Sequence, residues 1–486
     1  MEITAGGNGR IRPCTLAYDI PVRVTYRRLT VILNVIFMIF LAWSFSACGI
    51  VDVPNSSGTY DSSEAIVESN GLNESSGLNG PDESEEPEET FEIIRDLGRE
   101  IIIAAGWPYP PTEFSEQIRR ISQEYNIILT TLNIEYSEIM PNLEASVMAG
   151  RPFADMVLLS GEMVLPAITG NLIYALEEFV PPEADVWGPQ EWVRPSGEFL
   201  GFHWIFAPYA LETDGTFLGV NLDIIRAIGA TDPVILYENG QWDFYHFMDI
   251  MIQARWAGYY GISGVPGDII GNLIGANDGY MVYNFRYGYD NPKTMRALNF
   301  AYRIFRTERL WMPGHGIYNW HGNFFAYLEG RSAFFPLSEW ALQQDTAGFD
   351  FAIVPFPRGP DNATEYTFIR GFSPGVAVPR WTWNPDDVYT VFEGLSQWGD
   401  AEQRTRRDRD YLMRFFPRAE DGYRAVRILQ NQGKFDLGMA IPTFNWVNGI
   451  LAEGFYNGTM TVPGGVERFR NSQQSIIDQE LQNWIR

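Results

Sequence analysis

Cysteine is nearly absent: there are two in 486 residues, Cys14 and Cys48, and both precede the part of the chain that reads as foldable. That part therefore has no disulfide to hold it and no thiol for nucleophilic chemistry. An apolar core must do the work, and 45% hydrophobic residues over this length are enough for a large core in more than one folding unit. Histidine is scarce too. His203, His246, His315 and His321 make no H-E-x-x-H and no pair at helical spacing, so no metal site is expected. His315 and His321 flank a loop rich in glycine and aromatics, which reads as an exposed loop in preference to a weak zinc site. No P-loop and no dinucleotide glycine fingerprint follows a strand, so no cofactor is expected. Positive charge is short as well: 35 Lys and Arg stand against 61 Asp and Glu, a net charge of −26. A surface of that sign releases no counterions from phosphates, which argues against a nucleic-acid partner. Six of the acids, Asp82, Glu83, Glu85, Glu86, Glu88 and Glu89, are concentrated in one stretch, and an acid excess of this kind bears on solubility.

What is present begins with one long apolar run. Arg23, Arg27 and Arg28 precede Leu29 to Phe45, and small residues then lead to Cys48. A basic head, a short apolar stretch and a small-residue end make an export signal. The stretch is short for a spanning helix, which needs about 20 apolar residues. Ser46-Ala47-Cys48 resembles the lipobox of bacterial lipoproteins, although Phe45 stands where that family usually has Leu. The resemblance implies cleavage before Cys48 and lipidation of its sulfur. Several acyl chains hold a protein stably at a membrane where one does not. The alternative is an uncleaved N-terminal anchor, and in either case the rest of the chain lies outside the membrane. Residues 1–48 are thus expected to be the signal, with 1–22 pointing to a start nearer Val22 or Val24. Residues 49–92, built of Ser, Gly, Asn, Asp, Glu and Pro, bury too little apolar surface to fold and read as an extended acidic tether.

Beyond the tether the periodicity alternates. Ile101 to Ala105 is a continuous apolar run ending at Gly106-Trp107-Pro108-Tyr109-Pro110. Glu113 to Tyr125 has helical spacing, Ile127 to Ile134 is β-rich, and Tyr136 to Gly150 is helical again. Met156 to Leu159 is a third buried strand, and Ser160-Gly161 opens the next helix. Strand, helix, strand, helix, strand is the order of a parallel sheet covered on both faces. Phe199 to Phe206 reads as a crossing strand that leaves this unit. Phe351 to Pro355 and Gly375 to Pro379 read as the return, and helices follow Asn384.

Ala154 to Gly161, Asn171 to Leu176, Phe217 to Asn221, Gln241-Trp242-Asp243 and Gly330 to Phe335 together resemble the extracellular solute-binding proteins, family 1 type, of carbohydrate ABC importers. The likeness runs in order from Ile101 to the C-terminus. It implies an α/β, two-lobed, periplasmic-binding-protein-like (Venus flytrap) fold, each lobe a mainly parallel sheet covered by helices, joined by crossover strands. Lobe I would take 93–205 and about 371–420, lobe II about 206–370 and 421–486. It also implies a monomer without catalysis that captures a sugar or oligosaccharide, partners ABC permease subunits, and touches the membrane only through its lipid.

Ligands of open α/β sheets sit beyond the carboxyl ends of strands. The strand-end loops here supply Trp107, Tyr109, Ser160, Gly161, Glu162, Trp204, Glu339, Trp340, Arg370, Phe372 and Ser373. A sugar has an apolar C–H face and a rim of hydroxyls, which call for flat aromatics beside paired donors and acceptors. Trp340 is the foremost of these, because the family often stacks a Trp on the ring at that place. Each aromatic has the competing reading of core packing, and Ser160-Gly161 that of an ordinary helix cap. Asp155 reads as a structural hydrogen-bonding residue. Gly371-Phe372-Ser373-Pro374-Gly375 matches the G-x-S-x-G of esterases, but Pro374 lacks the amide an oxyanion hole needs and a strand follows where a helix is required. Glu162 and Glu339 make a glycoside hydrolase the enzymatic rival, and a glycan-binding sensor or adhesion module the non-enzymatic one.

Overall fold

The computed structural model describes residues 91–107, 115–181, 197–206, 216–313, 328–338, 348–396, 406, 410, 413, 416 and 418–481. The signal, Cys48, the tether as far as residue 90, Tyr109, His315, His321, Glu339 and Trp340 lie outside the described residues.

The elements begin with β1 (Arg99–Ala105), α1 (Ser115–Glu124), β2 (Ile127–Asn133), α2 (Ile139–Ala149), β3 (Met156–Leu159) and α3 (Gly161–Thr169). A hairpin of β4 (Glu198–Phe199) and β5 (Phe202–His203) follows. Next come β6 (Thr216–Asn221), α4 (Leu222–Ile228), α5 (Pro233–Glu238), α6 (Phe244–Trp256), β7 (Tyr260–Ile262) and α7 (Pro266–Ala276). A second hairpin, β8 (Val282–Tyr283) and β9 (Arg286–Tyr287), leads to α8 (Pro292–Tyr302), β10 (Ser332–Ser338) and β11 (Phe351–Val354). The chain ends in β12 (Phe368–Arg370), β13 (Gly375–Ala377), α9 (Pro385–Ser396), α10 (Ala419–Gln432), β14 (Gly433–Phe435), α11 (Leu437–Ala440), α12 (Pro442–Asn457) and α13 (Val462–Leu481).

Two four-stranded sheets organise these elements. The first has the order β13-β3-β1-β2, with β1 parallel to both β2 and β3. All four residues of β3 are buried, as are Ile101, Ile103, Ala104 and Ala105 of β1, the mark of strands covered on both faces. Asp155 takes the structural role. Its carboxylate accepts the Ile102 N–H at 2.9 Å and pairs with Arg99, whose guanidinium also reaches Asp387 of α9.

The second sheet has the order β11-β6-β10-β7, and here the expectation of mainly parallel strands needs refinement. Only β10 and β7 run parallel, while β6 is antiparallel to both β10 and β11. The reason is the direction of entry. β6 follows the passage from the first sheet and starts at the edge where β10 ends, Thr216 opposite Ser338.

The crossing runs also differ from the sequence reading. Residues 199–203 are not one strand but the hairpin β4–β5, turned by Leu200 and Gly201 at φ 55° and 82°, the positive-φ pair that matches strand twist. The crossing pair is Phe206 with Val376, which exchange both backbone hydrogen bonds at 2.8 and 2.7 Å. Phe351 to Val354 belongs to the second sheet itself. The return is the following stretch, 355–374, steadied by β12 pairing in parallel with β14.

Asp436, the N-cap of α11, is 1% exposed, and its carboxylate accepts the N–H groups of Met281, Val282 and Gly438 at 2.7, 3.1 and 2.8 Å. Burial nevertheless pushes its pKa up to about 6, and that of Asp268 in the first turn of α7 to about 6 as well. A carboxyl raised by folding binds its proton more tightly in the native state. Its stabilising contribution is complete below the unfolded pKa, 3.8, and is lost as pH rises through about 6. Stability should therefore increase by about 1 kcal/mol on Asp436's account between pH 7 and pH 5. Urea unfolding at a series of pH values reads this directly. Asp436→Asn should remove that share of the slope, and a variant as pH-sensitive as the parent would contradict the assignment.

Candidate functional site

Parallel strands deliver their carboxyl ends to one edge, and in the first sheet β1, β2 and β3 do so together. β1 runs into Gly106 and Trp107, β2 into a 3-10 turn at Tyr136–Glu138, and β3 into Ser160 at the head of α3. Gly106 permits the close approach of the first two loops, because a Cβ there would lie 3.0 Å from Tyr136 Cα. The Trp107 and Tyr136 rings consequently meet, with centroids 6.1 Å apart and planes tilted by 39°.

The Tyr136 hydroxyl stands 2.7 Å from Ser160 Oγ and 2.7 Å from Glu162 Oε1. A phenol has one proton. With that proton donated to the Glu162 carboxylate, Ser160 donates to Tyr136, and the three groups form a directed row. Ser160 does occupy the N-cap of α3 with extended backbone, but its hydroxyl makes no capping bond and is engaged with Tyr136 instead. Glu162 gains from the positive end of the α3 dipole. Tyr136 is 40% exposed, Glu162 exposed, Ser160 and Trp107 half-buried, and Gly161 buried. The arrangement offers an aromatic surface beside a row of oxygen donors and acceptors, the pairing that suits a polyol ring.

Of the predicted residues, then, Trp107, Ser160, Gly161 and Glu162 gather at one edge. Tyr136 joins them and was missed, because its position was read as the start of a helix that in fact begins at Ile139. The signal was present: Tyr136 follows β2 as Trp107 follows β1.

Two other aromatics are corrections. Trp204 is 3% exposed within the main core, and its indole N–H donates to the Phe199 carbonyl at 3.2 Å, serving the hairpin. Phe372 is fully buried, edge-on to Phe199 and Phe435, with centroids 6.1 and 5.2 Å away. Neither has a free face for a ring to stack on. Arg370 and Ser373 lie buried on the return run between the sheets, away from these loops in sequence. Ser373 precedes a strand, not a helix, which agrees with setting aside the esterase motif.

Two open depressions elsewhere involve none of the predicted residues. One, of about 740 Å³, lies between the start of α6 and α8 beside Tyr245, Phe300 and Arg296. The other, of about 490 Å³, is beside Tyr280, Thr367 and Lys434. Their charges are largely spent internally, Arg296 on Asp361 and Lys434 on Asp278. Among the described residues no group of three His, Cys, Asp or Glu is placed to hold a metal, and no helix is long and apolar enough to cross a membrane.

No family model matches the sequence, and no curated protein matches it. Solved structures do match the fold. The GacH receptor of Streptomyces glaucescens, whose acarbose complex is known, superposes with a TM-score of 0.59 at 12% identity, over 79% of this chain and 99% of its own. An ABC substrate-binding protein of Listeria monocytogenes in complex with cycloalternan gives 0.57 at 13% identity, over 79% and 99%. UgpB of Mycobacterium tuberculosis in complex with glycerophosphocholine gives 0.59 at 17% identity, over 78% and 99%. The chain has the α/β, two-lobed, periplasmic-binding-protein-like fold of these proteins.

Proposed function

We propose that this chain is the solute-binding component of an ABC importer, capturing a sugar or oligosaccharide outside the cytoplasm and handing it to membrane permease subunits. The observation that carries the reading is the Trp107–Tyr136 aromatic pair beside the Ser160–Tyr136–Glu162 row, on the strand-end edge where such folds hold ligands. The shared fold with sugar-binding relatives supports it. Residues 93–205 with about 371–420 form one lobe in this reading and about 206–370 with 421–486 the other, to which Trp340 belongs as a proposed ligand contact. The solute touches both lobes only when they are shut, and that differential contact stabilises the shut form. The chain does no chemistry on its guest. In this reading the signal in 1–48 directs export, and lipid on Cys48 with the 49–92 tether holds a monomer at the outer face of the cell membrane within reach of the permease.

Titration calorimetry of the purified protein against a glycan panel, with product analysis of the same samples, tests this. Saturable binding without cleavage is expected. No binding anywhere on the panel, or hydrolysed sugar in the tube, would overturn the reading. Tyr136→Phe keeps the aromatic surface but breaks the hydroxyl row, so affinity for a sugar the protein binds should fall by about 1 kcal/mol, the worth of a hydrogen bond.

A further inference from the structure

Among the described residues the Arg370 side chain has no partner. It is 7% exposed, its Nε is buried without a hydrogen bond, and no described residue gives its guanidinium an acceptor or a counter-charge. The other buried or nearly buried arginines behave differently. Arg424 is held by Asp421, and Arg99 lies between Asp155 and Asp387. Burial lowers the pKa of Arg370, and no neighbouring carboxylate acts to raise it. A chain with 61 acidic residues has no shortage of counter-ions to place there. An uncompensated buried charge is costly and is normally paired, so a missing partner calls for an explanation.

The surroundings point to one. Arg370 ends β12 on the return run, five residues before β13 joins the first sheet, where the chain passes from one lobe to the other. Gly433 in the neighbouring strand makes the space: a Cβ there would lie 2.8 Å from Arg370 Nε and 2.9 Å from its Cδ. Asp436, the residue after β14, donates its backbone N–H to the Arg370 carbonyl at 2.9 Å, but its buried carboxylate is spent on three backbone N–H groups. The fold thus buries a planar, five-donor cation and leaves it unspent.

We propose that the counter-charge of Arg370 is the solute itself, so that the imported guest is an acidic saccharide, a sugar or oligosaccharide carrying a carboxylate, phosphate or sulfate group. A guanidinium suits all three through its paired N–H fork. This inference rests on the solute-binding reading above and narrows it.

The test compares matched probes on the purified protein by calorimetry: maltose, a disaccharide ending in glucuronate, maltose 6′-phosphate, a sulfated disaccharide, and inorganic phosphate alone. At least one acidic saccharide should bind about tenfold or more tightly than maltose. Which one does so identifies the anionic group, and binding of phosphate alone would indicate that the anion contributes more than the ring. Arg370→Gln should abolish the preference, bringing the favoured acidic saccharide down to about the affinity of the same variant for maltose. Because Arg370 has no partner to lose, the melting temperature of the ligand-free variant should stay the same or rise. Arg370→Lys should recover part of the preference. Maltose binding as tightly as every acidic probe overturns the inference and leaves the solute-binding reading standing. A ligand-free Arg370→Gln protein that melts well below the parent overturns it as well, by showing a structural role. If neither neutral nor acidic saccharide binds, the solute-binding reading falls and takes the inference with it.

Discussion

Trp242→Ala should destabilise the protein by about 3–5 kcal/mol, the range for removing a fully buried tryptophan. Trp242 has no exposed surface and packs against Phe247 of α6 and Phe334 of β10, with centroids 5.6 and 5.8 Å away. Its indole N–H donates to the Pro355 carbonyl at 2.9 Å, so the substitution would leave both a cavity and an unsatisfied buried acceptor. The backbone here is equally committed. Arg358 N–H donates to the Trp242 carbonyl, and Phe244 N–H to the Arg358 carbonyl at 2.9 Å. One ring therefore joins the start of α6, the centre of the second sheet and the beginning of the return run. Urea denaturation gives the measurement. Trp242→Phe should retain most of the stability, and a loss below about 1 kcal/mol for the alanine variant would mean that the site collapses freely around the gap.

The second large effect is on binding. Trp107→Ala should weaken a bound sugar by about 1–3 kcal/mol, because a stacked aromatic is the type of contact that concentrates binding energy. The side chain is half-buried and packs against both the main core and the core of the first sheet, so the indole is fixed in place before any ligand arrives. Pre-ordering of that kind lowers the entropy cost of association. Trp107→Phe should keep more of the affinity than Trp107→Ala. Unfolding in parallel separates binding from stability. A variant as stable as the parent and as tight a binder would remove Trp107 from the site.

The part of the chain nearest this site was the most legible in the sequence. Continuous apolar runs announced β1 and β3, and Met156–Leu159 appears as read, because a strand buried on both faces leaves no polar residue to confuse the pattern. Asp155 also kept the structural role expected of it. The misreadings have physical causes. The hairpin β4–β5 looked like one strand because Leu200, an apolar residue, takes a positive φ that composition does not betray. Trp204 and Phe372 looked like ligand aromatics because strand-end loops and core packing recruit the same residue types. The burial of Phe372 involves Phe199 and Phe435, which are distant from it in sequence. The direction of β6 was hidden for a related reason. A six-residue apolar strand reads the same whichever way its neighbours run, and only the place where the chain enters decides it.

The proton order in the row from Ser160 through Tyr136 to Glu162 gives the edge a polarity. Each hydroxyl hydrogen already points along the chain toward the carboxylate, so Ser160 Oγ presents lone pairs and not a hydrogen to whatever approaches it. An alcohol can meet that oxygen with its own O–H. An ether oxygen, or a hydroxyl capped by a methyl group, meets it lone pair to lone pair. The loop therefore favours free alcohols over their alkylated counterparts, a distinction no single residue of the three makes alone.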